Sequence, residues 1–377
     1  MVRALFMGQT GLAKKSQLDS LAELCAQQRH PIDKVFSVGD IMYAESQTAG
    51  KPLHEGKILD LPLAELGILR RLAFANIRLE SSRADHVMVG SHSVFRWNNQ
   101  LFRAFEIQEL QELNPDLVVT LIDDVEAVKL RLDDLRAAGQ LPITTSYSLK
   151  DLLVWREEEI LASDVISSVL QVPHYVLGVW LEPEVSETPL EVAFNLMFRP
   201  DKRLAYVSYP ISDAQAKEEV WRKVIEYRKL VRSYVTAFDP LMISEKRLQM
   251  LMGEELKRSP GAKELACDVR GWELVLDINE IKAVMPDIDG QTVSRDYKLL
   301  DQSDMIIAYF PLDTDGGPLI AGGVQSEIEH ASASTKEIVI VWESPREPTP
   351  FIRQKADVLL RSLEELDSYL RELPPRG

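Results

Sequence analysis

The chain has 377 residues, 45% of them hydrophobic and 27% charged, with a formal net charge of −16 at pH 7. That length exceeds one ordinary core and implies about two domains, while the charge excludes a general attraction to nucleic acid or an anionic membrane. Cys25 and Cys267 form no metal or redox motif, the histidines show no ligand spacing, and no apolar run or leader pattern points to a membrane, so a soluble, cytoplasmic chain without a structural metal is expected.

Arg3 to Gly8 reads as a short apolar strand ending in G-Q-T-G-L-A-K-K-S, residues 8–16, and Leu18, Leu21, Ala22 and Cys25 follow at helical spacing. A strand, a glycine loop and a helix opening on a lysine form the context in which backbone N–H groups cradle phosphates. Against the pattern G-x-x-x-x-G-K-[ST], Gly8 and Lys14 are in register. Ala13 replaces the second glycine, Lys15 stands at the hydroxyl position, and Ser16 comes one residue late. Gly8, Gly11, Lys14, Lys15 and Ser16 are therefore candidate nucleotide contacts, with a plain β–α turn as the alternative reading.

Val35 to Val38 is a second strand ending in Gly39-Asp40. Leu66 to Leu79 is an amphipathic helix carrying Arg70, Arg71 and Arg78. His86 to Val89 is a third strand, followed by Gly90-Ser91-His92, and Leu117 to Ile122 a fourth, ending at Asp123-Asp124. Next come Arg131 to Arg136, a helix with Trp155-Arg156 and Glu157 to Glu159, and a last strand, His174 to Leu177. Alternating strands and helices imply a parallel sheet with right-handed crossovers.

This order resembles the adenylate kinase and nucleoside monophosphate kinase family, especially its archaeal-type branch. The resemblance rests on Gly39-Asp40, on Gly90-Ser91-His92 in part, on Asn114-Pro115-Asp116 before the fourth strand, and on Arg131, Asp133, Asp134 and Arg136 as a lid. It covers residues 1–190 and implies a P-loop domain binding ATP or another nucleotide, with or without Mg²⁺, to which Asp40, Arg131 and Arg136 also contribute. Ala13, Lys15 and Gly90 depart from the family pattern. Phosphoryl transfer depends on metal placement, and Lys15 supplies charge but cannot coordinate Mg²⁺, which leaves kinase turnover in question.

Leu181 to Pro200 reads as the junction, with a helical turn from Leu190 to Phe198 closing the first domain, so domains of 1–190 and 191–377 are expected. Leu204 to Ser208 is a strand, followed by Tyr209 to Asp213 and by Val220, Val224, Tyr227, Val231 and Tyr234 at helical spacing. Phe238-Asp239-Pro240 reads as a strand end and turn, and residues 241–290 as helices exposing Asp277 and Asp287. A polar turn with Asp296, Asp301 and Asp304 precedes the buried strand Met305 to Phe310. A loop with Asp313, Asp315, Gly316 and Gly317 follows, and Gly322-Gly323 opens a helix carrying Glu327, Glu329 and His330. Ile338 to Trp342 is the last strand and 362–371 a closing helix.

Ligands of parallel sheets bind beyond the carboxyl ends of the strands. Carboxylates gathered there fit displacement at a sugar carbon, one attacking and another protonating the leaving base; solvated acids in an acidic chain are the plain alternative. The stretch resembles the nucleoside 2-deoxyribosyltransferase family and its nucleotide N-hydrolase relatives. Arg295-Asp296, Asp304, Asp315-Gly316 and Ser326 to Ala331 carry the resemblance, and Glu329-His330 departs from it. It implies a flavodoxin-like parallel sheet, Glu327 as nucleophile, Asp296 as proton donor or sugar contact, and Asp304 beside them. Tyr206, Tyr209, Ser212, Asp315 and Gly316 would form the substrate pocket, with no cofactor needed. Crowded carboxylates should keep one proton within the group near neutral pH, with Glu327 ionised.

The whole then reads as a two-domain α/β enzyme of nucleotide metabolism, cleaving or transferring an N-glycosidic bond through Glu327 and acting on nucleosides or nucleotides as a homo-oligomer. A nucleotide sensor without turnover, or a working nucleoside monophosphate kinase with a passive second domain, are the alternatives.

Overall fold

The computed structural model describes residues 1–48, 61–97, 100–141, 146–180 and 188–376. In chain order the elements are β1 (Val2–Met7), α1 (Lys14–Gln27), β2 (Lys34–Ser37), α2 (Val38–Thr48), α3 (Leu63–Ser81), β3 (His86–Gly90), β4 (Val94–Trp97), β5 (Gln100–Arg103), α4 (Ile107–Leu113), β6 (Leu117–Ile122), α5 (Val125–Ala137), α6 (Leu149–Leu170) and β7 (His174–Gly178). There follow α7 (Pro189–Phe198), β8 (Leu204–Ser208), α8 (Ile211–Gln215), α9 (Glu218–Tyr234), β9 (Thr236–Phe238), α10 (Lys246–Arg258), β10 (Glu264–Val269), β11 (Trp272–Asp277) and α11 (Ile278–Asp301). The chain closes with β12 (Met305–Phe310), α12 (Gly322–Ala333), β13 (Glu337–Trp342), α13 (Pro350–Arg353), β14 (Val358–Leu360) and α14 (Leu363–Arg371).

Two compact units form, each from two pieces of chain: Met1–Val179 with Ile243–Gln291, and Trp180–Met242 with Thr292–Gly377. The sequence division at residue 190 leaves residues 243–291 with the second half, whereas they pack with the first unit. Of the expected junction Leu181 to Pro200, residues 181–187 lie outside the described residues. Helix α7, read as closing the first domain, belongs to the second unit. Its start is fixed by a capping box between Thr188 and Glu191 with Pro189 in the first turn.

The first unit holds a five-stranded sheet in the order β2-β3-β1-β6-β7, parallel throughout. Strand β6, L-V-V-T-L-I, is buried at every position, as expected for a strand covered by helices on both faces. Leu5, Val87, Val89 and Val118 meet Phe74, Ile77 and Leu110 of the covering helices in one core. Because β1 has β3 on one side and β6 on the other, the chain reverses direction across the sheet at β1, and its carboxyl end is the switch point.

The second unit holds another five-stranded sheet, β14-β13-β12-β8-β9, also parallel. Numbered within the unit this is the 2-1-3-4-5 order of flavodoxin-like folds, with the switch point between β8 and β12. Its core packs Ala205, Val207, Ile307 and Val339 against Val220, Val224, Val231 and Leu366.

Several sequence readings need correction. Residues 264–277 form an antiparallel hairpin rather than helix: Leu265, Cys267, Val269, Leu274 and Leu276 alternate inward. Val38 and Gly39-Asp40 lie in the first turn of α2 rather than at the end of the second strand. Asp296 and Asp301 ride the last turns of α11 rather than a polar turn. The antiparallel pair β4–β5 and the edge strand β14 were not anticipated; both are short and border turns. Among the described residues no helix is long and apolar enough to cross a membrane.

Candidate functional site

At the switch point of the first sheet, the loop between β1 and α1 is held in left-handed backbone. Gly8 has φ +143, Gly11 φ +89 and Ala13 φ +50. A Cβ on Gly8 would stand 2.6 Å from the Leu121 carbonyl oxygen, and one on Gly11 3.1 Å from Val128 Cγ1. Only glycine lets this loop lie so close against β6 and α5. Ala13 adopts the left-handed angle that the missing second glycine would have taken without strain, so this departure from the sequence pattern leaves the loop shape intact.

Lys14, the first residue of α1, folds back over the loop. Its Nζ donates to the carbonyls of Gly8 at 2.6 Å and Gln9 at 3.2 Å, and it lies 3.2 Å from His92 Nδ1. Burial lowers the Lys14 ammonium to about 7, against the pull of Glu159. Glu159 of α6 is buried; it approaches His92 Nδ1 at 3.5 Å and accepts from the Ser93 amide at 2.9 Å. Burial, then the Lys14 charge, pushes His92 below its usual value. The Glu159–His92–Lys14 row was not anticipated, because Glu157 to Glu159 reads as a solvated charge run.

Two concavities flank Lys14. A groove of about 920 Å³ runs along Thr10 to Ser16, bounded by Asp19, Glu23, Arg131 and Asp134. A cavity of about 280 Å³ on the other side is lined by Met42, Tyr43, Phe95, Tyr147 and Trp155, with Arg70 and His92. Gly11, Lys14, Lys15, Ser16 and Arg131 are thus brought together at the groove. Asp40 pairs with Lys15 at 3.2 Å on the exposed rim, raising the Lys15 ammonium. Arg136 instead pairs with Asp133 along α5 at 3.1 Å. Arg131 donates through Nε to the Gly11 carbonyl and through Nη2 to Asp123.

The loop fits a nucleotide's phosphates: its glycines leave room for nothing larger than hydrogen, and a helix N-terminus and two lysines converge on the groove. Mg²⁺ is a poorer fit. Lys15 occupies the position of the hydroxyl ligand, and its acidic neighbour Asp40 is tied to it.

At the switch point of the second sheet, Glu327 sits in the second turn of α12, half-buried over the carboxyl half of β8. Tyr206 Oη donates to its Oε1 at 2.9 Å, and Ser208 Oγ donates to its Oε2. Tyr206 and Ser208 are two apart on one strand and share its face, a signal present in the sequence. Burial, then the charge of Asp296, raises Glu327 to about 8, and the two hydroxyls only partly offset that rise. Burial and Asp296 thus push Glu327 toward the protonated form, opposite in direction to the expectation of an ionised Glu327, while the Tyr206 and Ser208 hydroxyls favour the ionised one. Asp296 is held by its neighbour Arg295 at 2.9 Å.

Other expected residues lie elsewhere. Asp304 precedes β12 at the amino end of the sheet, accepting the Leu204 amide at 2.9 Å and facing Arg376 at 3.1 Å. It joins strands and is not part of the Glu327 group. Tyr209 is a core residue whose hydroxyl donates to buried Asp239 at 2.8 Å, and Ser212 is exposed on α8. Asp315 accepts the Gly317 amide at 2.8 Å, with Gly316 at φ +77, so both shape their own turn.

Residues 7–146 match the family described as an AAA domain, well under half of the chain. No curated protein matches. Solved structures with some similarity include shikimate kinase from Bacteroides thetaiotaomicron, 15% identical over 47% of this chain and 86% of that one, with a TM-score of 0.29. Phosphoglycerate kinase from Coxiella burnetii is 10% identical over 99% of this chain and 94% of that one, with a TM-score of 0.20. The family match ends before the second unit begins. The strand order, the glycine loop with Lys14 at its end and the family match together make the first unit a P-loop nucleotide-binding domain.

Proposed function

We propose that the chain is a nucleotide-metabolism enzyme whose first unit binds a nucleotide by its phosphates and whose second unit cleaves or transfers the N-glycosidic bond of a nucleoside or nucleotide. The observation that carries the second half is the Glu327 carboxyl, aimed by two hydroxyl groups at the switch point of its sheet. In this reading Glu327 loses its proton and an Oε attacks the anomeric carbon as the carbon–nitrogen bond breaks. The departing base takes up the proton that Glu327 gave up, with Asp296, whose charge acts on Glu327, as the candidate carrier. Water or a second base then releases the sugar from Glu327. Bound nucleotide in the first unit gives its phosphates to the glycine loop, and Lys14 turns from the loop carbonyls toward them.

Chromatography of base released from a panel of nucleosides and nucleoside 5′-phosphates tests this, with Glu327→Gln beside the wild type. Release by the wild type and its loss in the variant support the reading; equal release by both would refute it. Because Glu327 must be ionised to attack, release should climb with pH up to about 8.

A second reading is phosphoryl transfer from the nucleotide to an acceptor. The aromatic cavity beside Lys14, facing the Glu159–His92 pair, favours it. Transfer of label from ATP to nucleoside monophosphates distinguishes it from binding alone.

A further inference from the structure

The β10–β11 hairpin turns through Arg270 and Gly271, at φ +55 and +88, between the paired residues Val269 and Trp272. Both central residues at positive φ define the tight turn that asparagine and glycine favour. Arginine there is uncommon and carries strain of about 1 kcal/mol or more. The side chain held at that cost points at the end of β6. Its Nη1 donates to Asp123 Oδ2 at 2.9 Å and its Nη2 donates to Asp123 Oδ1, with a longer contact to Asp124 at 3.3 Å. Asp123 is buried, and its Oδ2 also accepts from Arg131, the residue that bonds the Gly11 carbonyl and borders the phosphate groove.

One buried carboxylate thus faces two guanidinium groups. If Arg131 were its sole partner, removing that cation would leave Asp123 charged and unpaired inside the protein, which is strongly unfavourable. With Arg270 forked onto both oxygens, Arg131 can leave without that penalty. Resting on the nucleotide-binding reading of the groove, we infer that Arg270 is a positioning residue: it holds Asp123 so that Arg131 is free to swing from Asp123 onto the phosphates of a bound nucleotide. A phosphate offers Arg131 an anionic acceptor in place of the Asp123 Oδ2 that it gives up.

The experiment is calorimetric titration of the full-length protein with ADP. Arg270→Asn suits the turn and removes only the guanidinium. It should weaken ADP binding by roughly tenfold to a hundredfold, the worth of a charge-assisted contact held back. Adding Asp123→Asn to that variant should restore affinity to within a few-fold of wild type, since Arg131 then has no anion to hold it. In an Arg131→Ala background Arg270→Asn should change ADP affinity little. A merely structural role predicts the opposite order, the double variant binding worse than the single one. Unchanged affinity in Arg270→Asn, or no recovery in a folded double variant, overturns the inference. Absence of ADP binding by the wild type would instead remove the nucleotide-binding reading beneath it.

Discussion

Lys14 offers the sharpest test of the phosphate loop, because its charge should change when a phosphate binds. In the protein alone its ammonium is lowered to about 7 by burial. Two of its hydrogens are spent on the Gly8 and Gln9 carbonyls, and His92 stands beside it at 3.2 Å. A phosphate dianion beside Nζ favours the charged form and raises that value again. Binding should therefore take up roughly half a proton at pH 7 and close to a full one at pH 8.5. Affinity should fall by about 15-fold between those two pH values, approaching tenfold per unit at the upper end. The nucleotide contributes little above about pH 7.5, where its terminal phosphate is nearly fully ionised. His92, already below its usual value, is neutral there too. Titration with ADP at pH 8.5, in two buffers of different ionisation enthalpy, measures the proton directly. Lys14→Met should bind more weakly, with neither proton uptake nor the pH slope. Wild-type binding with no proton uptake and a flat pH profile would refute the assignment of Lys14 as the phosphate lysine.

Further outcomes follow from the same contacts. Gly11→Ala sets a Cβ 3.1 Å from Leu132 Cγ and Val128 Cγ1 at φ +89, and should cost about 1–3 kcal/mol in denaturant melts while weakening ADP binding. Lys15→Thr restores a hydroxyl at the metal position, and nucleotide affinity should then rise with added Mg²⁺ more than it does in the wild type. Glu327 stands at about 8 when folded, against an ordinary value of 4.5, so its contribution to stability is present below about pH 4.5 and lost as pH rises through 8. Glu327→Gln should accordingly stabilise the fold more at pH 8.5 than at pH 5, by at most roughly 4 kcal/mol in denaturant melts and less where water screens the carboxylate. Arg156 is buried against Glu245, with Nη1 to Oε1 at 2.6 Å, so Glu245→Ala should cost roughly 3–5 kcal/mol in chemical denaturation. Adding Arg156→Met should recover part of that loss.

What the sequence made legible was what short-range pattern encodes. The buried strands Leu117–Ile122, Leu204–Ser208 and Met305–Phe310 carry continuous apolar runs, and they form with those bounds. The glycine loop was readable because its angles demand glycine at Gly8 and Gly11. The hairpin from Glu264 to Asp277 alternates apolar and polar residues as plainly as any strand, but its Arg270-Gly271 turn lacks the asparagine that usually announces one. The resemblance placed Asp304 beside Glu327, whereas it stands at the amino end of β12, tied to Leu204 and Arg376. Ties such as Arg270 to Asp123 span 147 residues, and no local pattern records them.

The first unit is completed only by residues 243–291, which a ribosome makes after the strands β8 and β9 of the other unit. A nascent chain of about 180 residues has Arg156 but not Glu245, and Asp123 but not Arg270. Asp123 already has Arg131, but the Arg156 charge must remain hydrated until Glu245 emerges, so α6 cannot close over the end of β6 during early synthesis. A shortened gene ending near residue 190 would freeze the chain at that stage, with Arg156 uncompensated. A fragment able to fold alone has to carry residues 1–179 joined directly to 243–291, with the intervening stretch replaced by a short flexible bridge.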